Sequence, residues 1–274
     1  MSRTTRIRSE NDLFQTLVAL RTNRIKRNKR REFIFEGVRS INNALRYGWD
    51  IRALLFAPER PLSDWASNVL AVCDTVQRYE LPMHLLAKLS AKATPSELIV
   101  TASIPRDELA RITARACPLI LVFDRPASPG NLGTLIRSCD ALGVDGLVVT
   151  GHAADVYDPE AISAATGSLF SLPVVRLPSH RELEPWLAAL RVAHPQLQVV
   201  GTDEAAALHL GAGDFRRPTV LLVGNETRGL SAAYKTLCDG LVRIPMQGSA
   251  SSLNVACASS IVLYEIHRQR HGVT

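Results

Sequence analysis

The 274-residue sequence predicts an α/β protein made of a small N-terminal α/β unit and a larger C-terminal unit with a mostly parallel sheet. Two observations carry this prediction. Short apolar runs alternate with helical patterns along most of the chain, as in a sheet covered by helices on both faces. In addition, three polar segments each directly follow a strand-like run: Asn-Leu-Gly-Thr-Leu-Ile-Arg (131–137), Gly-Asn-Glu-Thr-Arg-Gly-Leu (224–230), and Ile-Pro-Met (244–246) continued by Ser-Ser-Leu-Asn-Val (251–255). Ligands of open α/β sheets bind at the carboxyl ends of the strands. The three segments therefore mark a candidate site and point to an enzyme.

In order, Arg31–Gly37 reads as a strand ending at glycine, and Val38, Ile41, Ala44 and Leu45 follow at helical spacing. Ile51–Phe56 is a second strand. Ser63 is placed to cap a helix carrying Trp65, Val69, Leu70 and Cys73, and Leu98–Ala102 closes the unit as a strand. The first domain is expected over 1–105, with a polar linker holding a short helix over 106–117. The second, 118–274, has apolar runs at Leu119–Phe123, Gly146–Val149, Leu172–Val175, Leu197–Gly201, Thr219–Val223 and Leu241–Ile244. Leu132, Leu135, Ile136, Cys139 and Leu142 repeat at helical spacing. Leu253, Val255, Ala256, Ala258, Ile261, Val262 and Tyr264 predict a deeply packed last helix.

No apolar run approaches the roughly 20 residues of a membrane span, and the basic N-terminus has no signal-peptide character, so a cytoplasmic protein is expected. Five cysteines without a Cys-x-x-Cys pair read as buried free thiols. The net charge of +6 is unevenly placed. Residues 1–31 hold ten of the 32 Arg and Lys but only two of the 26 Asp and Glu, leaving 22 against 24 in the rest. Arg21, Arg24, Lys26, Arg27, Lys29, Arg30 and Arg31 have no acid among them. Such a run is either a solvated arm or a footprint for a phosphate backbone, and RNA is the expected partner.

The loop Pro129–Gly133 lacks both Gly-x-Gly-x-x-Gly and Gly-Lys-Ser/Thr, which disfavours a nicotinamide-dependent oxidoreductase. Asn131 is placed to cap the following helix, with Arg137 projecting from its polar face. Glu226, just past a strand end, is either a ligand acceptor or an ordinary acid at a helix start. Asn254 reads as an amide inside the most apolar helix, where it needs a partner, with Ser251 and Ser252 at that helix's N-terminus. His267 and His271 share i, i+4 spacing, but no Glu follows His267 and no metal site is expected.

In this order and at these strand ends, the three segments resemble the motifs of the SpoU/TrmH (SPOUT) RNA 2′-O-ribose methyltransferases. Phe123–Asn131 and Gly151–Pro159 are most similar to the avilamycin-resistance ribosomal RNA branch. The first hundred residues resemble the group's small substrate-binding domain. The resemblance implies a C-terminal trefoil knot, a homodimer with the site completed across the interface, no metal, and S-adenosylmethionine (SAM) as cofactor. It implies a SAM pocket at Thr202, Gly224, Asn225, Ile244, Met246 and Leu253, and catalytic positions at Asn131, Arg137, Glu226, Ser252 and Asn254. The implied substrate is large-subunit ribosomal RNA, with antibiotic resistance as a consequence of methylation. Transfer RNA as substrate, and a non-catalytic RNA-binding protein, are the alternatives. Thr227 departs from the glycine of many relatives, and would be strained if the position required φ > 0.

Overall fold

A computed structural model describes residues 4–272; Arg3, counted in the basic segment, lies outside them. The chain divides into two compact units, Met1–Pro105 with Tyr157–Ser171, and Arg106–Val156 with Leu172–Thr274. This differs from the sequence-based division in one stretch. Tyr157–Ser171, expected in the second domain, packs with the first because its aromatic residues have their partners there.

The first unit contains β1 (Thr4–Arg6), α1 (Asp12–Thr22), α2 (Arg24–Arg30), β2 (Glu32–Glu36), α3 (Val38–Arg46), β3 (Ile51–Phe56), α4 (Asp64–Val72), β4 (Gln77–Glu80), α5 (Met83–Leu89) and β5 (Ile99–Ser103). Its strands form a mixed sheet in the order β1-β4-β3-β5-β2. Phe14, Leu17 and Leu20 of α1 and Leu85, Leu86 and Leu89 of α5 bury themselves with Ile34, Leu55 and Ile99 of the strands. Phe33, Phe35, Trp49, Tyr157 and Phe170 form an aromatic cluster with ring centroids 4.6–6.2 Å apart. Ser63 caps α4 as expected, its Oγ accepting from the Ala66 amide.

The basic segment is structured, contrary to a bare charged arm: Asn11 and Asn23 cap α1 and α2 through their side chains. Arg27 is 2% exposed, donates to the carbonyls of Leu20 and Arg21, and pairs with Asp158 at 3.4 Å. It is thereby removed from the expected phosphate-contacting set, because a buried, paired guanidinium cannot meet RNA. Arg21 is half-buried and donates to the carbonyl of Lys88. Lys26, Lys29, Arg30 and Arg31 stay exposed and Arg24 partly so.

The second unit contains β6 (Leu119–Asp124), α6 (Pro129–Ala141) and β7 (Gly146–Thr150); α7 (Pro159–Ala165) belongs to the first unit. Then follow β8 (Val174–Leu177), α8 (Leu183–Ala193), β9 (Gln198–Thr202), β10 (Leu208–His209), β11 (Thr219–Val223), α9 (Ala232–Lys235), β12 (Gly240–Arg243) and α10 (Val255–His271). All seven strands are parallel, in the order β10-β12-β9-β11-β6-β7-β8. Ile120, Val122, Val148, Val175, Val199, Val220 and Leu222 cover one face with Leu183, Leu187 and Leu190 of α8. Leu121 and Phe123, one residue out of phase, turn to the opposite face.

Neighbouring strands β6 and β11 lead away from each other: β6 runs on to β7, β11 to β12. Such a switch point opens a crevice at the carboxyl end of the sheet. The loops that flank it are 124–131 and 224–230.

The last helix departs from expectation. Val255, Ala256, Ser259, Val262, Leu263 and Ile266 are buried, but Ile261 is 42% and Tyr264 54% exposed, with Cys257 and Arg268 beside them on the same face. Apolar composition alone could not distinguish a helix buried all round from one with an uncovered stripe. The thiols also differ: Cys73 and Cys139 are buried, Cys117 and Cys238 partly so, and Cys257 is exposed.

Candidate functional site

The three polar segments meet in the second unit through one directional chain of hydrogen bonds. Glu226, just after β11, accepts from the Ala127 amide at 2.9 Å, the Ser128 amide at 3.1 Å and Asn131 Nδ2 at 3.2 Å. Asn131 Oδ1 in turn accepts from Asn254 Nδ2 at 3.0 Å. Asn254 Oδ1 accepts from the amides of Ala256 and Cys257 at 2.9 and 3.3 Å. Both ends of both asparagine amides are thus assigned by partners, and chained dipoles strengthen one another. Burial pushes the Glu226 carboxyl up, but the amides of Ala127 and Ser128 and the Asn131 side chain outweigh it and hold its pKa below the ordinary carboxylate value.

Two roles expected from sequence change. Ser128, not Asn131, caps α6: its Oγ accepts from the Asn131 amide at 3.2 Å, leaving the Asn131 side chain for the Glu226 pair. Asn254 is the N-cap of α10 rather than an interior residue, and it is exposed. Ser251, Ser252 and Leu253 precede the helix as exposed chain.

Beside this network lies a cleft of about 500 Å³, lined by Thr202, Gly224, Asn225, Glu226, Ile244, Met246, Ser252 and Leu253 among others. All six expected cofactor positions therefore face one cleft. Met246 and Leu253 are each 39% exposed, so the cleft offers uncovered apolar surface next to polar loop edges, the mixture a nucleoside ligand needs. A Cβ on Gly224 would lie closer than 3 Å to the backbone of Gly229 and Leu230, so only glycine lets this turn fold back. Asn225 fixes the same turn: Nδ2 donates to the Arg125 carbonyl at 2.7 Å, and Oδ1 accepts from the amides of Thr227 and Arg228. Its side chain is therefore committed to the loop. The left-handed residue of the turn is Gly229, φ 63°, and Thr227 has no positive φ, so threonine there is unstrained.

Arg137 is exposed on α6, its side chain without a hydrogen bond or ion pair among the described residues, and does not line the cleft. Its neighbour Ser138 meets Ser260 of α10, Oγ to Oγ at 2.7 Å. Sequence reasoning missed Asp203 and Lys235, which pair with each other and both line the cleft. The Lys235 ammonium and the Ala205 amide lower the Asp203 pKa against its desolvation. The signal was present: Gly201-Thr202-Asp203 places a carboxylate just past the end of β9.

Among the described residues, no group of three or more His, Cys, Asp or Glu is placed to hold a metal. His267 and His271 stack on each other at 4.2 Å. No helix of the described residues is long and apolar enough to cross a membrane.

A family model described as the SpoU rRNA Methylase family matches residues 118–264, and one described as the SpoU L30e-like domain matches residues 11–100. The 23S rRNA (uridine(2479)-2′-O)-methyltransferase of Streptomyces viridochromogenes is 49% identical over 265 residues, covering 97% of this chain and 92% of the relative. The crystal structure of the SpoU methyltransferase AviRb from the same organism, in complex with AdoMet, matches with TM-score 0.90 and 49% identity over 95% of this chain and 98% of that one. An AdoMet-bound rRNA methyltransferase from Sinorhizobium meliloti matches with TM-score 0.86 and 30% identity over 99% of each chain.

Proposed function

The chain belongs to the SpoU rRNA methylase family, and from that premise and the geometry of the site we propose that it methylates a ribose 2′-oxygen of large-subunit ribosomal RNA with SAM as the methyl donor. The observation that carries the reading is the Glu226–Asn131–Asn254 chain at the rim of a cleft with exposed apolar side chains and a glycine-only turn. A uridine is the first target to test, since the S. viridochromogenes relative is named for one.

When bound, SAM supplies a methyl group on a sulfonium, an electrophile that needs only in-line approach of an oxygen and loss of the hydroxyl proton. The chain's residues supply alignment, a large part of such acceleration. The turn at Gly224, with Thr202, Ile244, Met246 and Leu253, holds the cofactor in the cleft. Asn131 and Asn254, locked by their partners, present fixed dipoles toward the ribose, while Ser252 lies on the same rim. Glu226 is a poor base because its carboxylate is held ionised by three donors; it anchors Asn131. Arg137 serves the RNA side, its planar fork of donors gripping a phosphate and stabilising charge that develops on the oxygen.

A homodimer brings Arg137 to a partner's cleft. The exposed stripe Cys257, Ile261, Tyr264 and Arg268 on α10, next to α6, supports this reading. The knot is supported by the family and by the path of the chain after β12, where Ile244, Met246 and Ser251–Leu253 line the same cleft as the 224–230 turn before α10 meets α6. A cytoplasmic enzyme whose product raises tolerance to orthosomycin-type antibiotics completes the proposal.

Three results are expected. Calorimetry should find about one SAM per subunit, and a folded protein that binds none would remove the basis of the reading. Neutralising Arg24, Lys26, Lys29 and Arg30 with Gln should raise the KM for RNA and leave kcat nearly unchanged. With four phosphates contacted, log K should fall against log[salt] with a slope of about −3, and the variant should flatten it; an unchanged slope would place the RNA surface elsewhere. The Glu226 carboxyl titrates below its unfolded value, so its contribution to stability is full above the ordinary carboxylate range and is lost as pH falls through the lowered folded pKa. The stability difference between wild type and Glu226→Gln, followed by denaturant unfolding, should therefore be constant near neutrality and shrink only in acid. A difference that changes between pH 6 and 8 would contradict this.

A further inference from the structure

Among the described residues, three that are not glycine have left-handed backbone: Arg31, Thr166 and Arg125. Arg31 and Thr166 are helix C-caps, where that conformation is ordinary. Arg125, φ 52°, is not a cap; it directly follows β6. A strained residue persists only where its surroundings over-determine it, and here they do.

The guanidinium is clamped by its neighbour, Nε to Asp124 Oδ1 at 2.8 Å and Nη2 to Oδ2 at 2.9 Å. Asp124 is fully buried, and its Oδ2 also accepts from the Ser231 amide at 3.2 Å. Arg125 donates its amide to the Thr150 carbonyl at 3.0 Å, and its own carbonyl accepts from Asn225 Nδ2 at 2.7 Å. Gly151, itself left-handed at φ 70°, lies beneath the stem: a Cβ there would stand 2.7 Å from Arg125 Cγ. One residue is thus tied to the ends of β6, β7 and β11. It stands two positions before Ala127, whose amide binds Glu226.

We propose that Arg125 is a positioning residue for methyl transfer: clamped by Asp124, it holds the left-handed turn that presents the amides of Ala127 and Ser128 to Glu226 and so orients Asn131. The inference rests on the transfer reaction proposed above. Without the fork, residue 125 is held only through its backbone, by the Thr150 carbonyl and Asn225 Nδ2, and the turn that aims the amides of Ala127 and Ser128 at Glu226 loosens. Displacements of about 1 Å in such constellations cost about 10²-fold in rate.

Arg125→Gly separates the role of the fork from that of backbone strain, because glycine adopts the same backbone without strain. The expected result is a folded variant, less stable than wild type because the buried Asp124 carboxylate loses two donors, that binds SAM within about threefold but has kcat on ribosomal RNA reduced by about 10- to 100-fold. Arg125→Lys, which keeps the charge and loses the fork, should also be slow. Guanidinium ion at tens of millimolar should recover part of kcat in Arg125→Gly and none in Arg125→Lys. A glycine variant with kcat within twofold of wild type, or one whose SAM affinity falls as far as its rate, would overturn the proposal. Should wild type transfer no methyl group, the transfer reading itself fails, and the side-chain amide resonances of Asn131 and Asn225 decide the positioning role. Shifts in Arg125→Gly support it; unchanged resonances overturn it.

Discussion

Arg137→Ala is expected to lower methyl transfer by about 10²–10³-fold, the loss usual for a group that stabilises developing oxyanion charge, while SAM affinity stays within a few-fold. The separation follows from position. Arg137 lies on an exposed face of α6 and outside the cleft that Thr202, Gly224, Ile244, Met246 and Leu253 line. A residue that touches RNA and not cofactor should change turnover on RNA and leave calorimetric SAM binding alone. Arg137→Lys should fall within about tenfold of the alanine variant, because a point charge cannot copy a planar fork. Equal loss of SAM binding in Arg137→Ala would place the residue in the cofactor pocket and contradict the assignment. Mixing Arg137→Ala with Gly224→Ala subunits tests the proposed shared site: if the site is completed across a dimer interface, a mixed dimer would have one intact cleft facing one intact Arg137 and would regain activity that neither parent shows.

Gly224→Ala should have the largest effect on the cofactor side. Its Cβ would enter the backbone of Gly229 and Leu230, which no rotamer change relieves. Overpacking of this kind costs about 1–3 kcal/mol, and the same displacement at the cleft wall corresponds to about 10²-fold in SAM affinity. Gly229→Ala is the control. The position is left-handed but open, with no atom near the new Cβ, so only the backbone penalty of about 1 kcal/mol applies. A Gly224→Ala protein that binds SAM like wild type would show that the turn is not part of the pocket.

How much of this could be read from sequence depended on whether the interaction was local. The strands Ile51–Phe56 and Thr219–Val223 and the Ser63 cap follow from apolar pattern and capping chemistry, and the structure has them at those positions. In the segment around α1 and α2, the density of charge concealed two capped helices, and nothing local distinguishes Arg27, whose partner Asp158 is 131 residues away. The last helix shows the same limit: its pattern predicts apolar residues but not which of Val262 and Ile261 is covered. At the site, the three motifs were legible as loops after strands and Asn254 as an amide in need of a partner, yet that partner, Asn131, is 123 residues away and Asn254 caps the helix instead of lying inside it. Arg125 gave no signal, since an arginine after a strand says nothing about φ.

The most direct test of the central claim is to incubate the protein with methyl-labelled SAM and large-subunit ribosomal RNA and to map the label by nuclease and alkaline digestion. The account predicts one alkali-resistant dinucleotide per RNA, its ribose carrying the methyl group, with label at matched times about 10²–10³-fold lower when Arg137→Ala replaces wild type. Label on a base, or label entering transfer RNA while large-subunit RNA takes none, would contradict it.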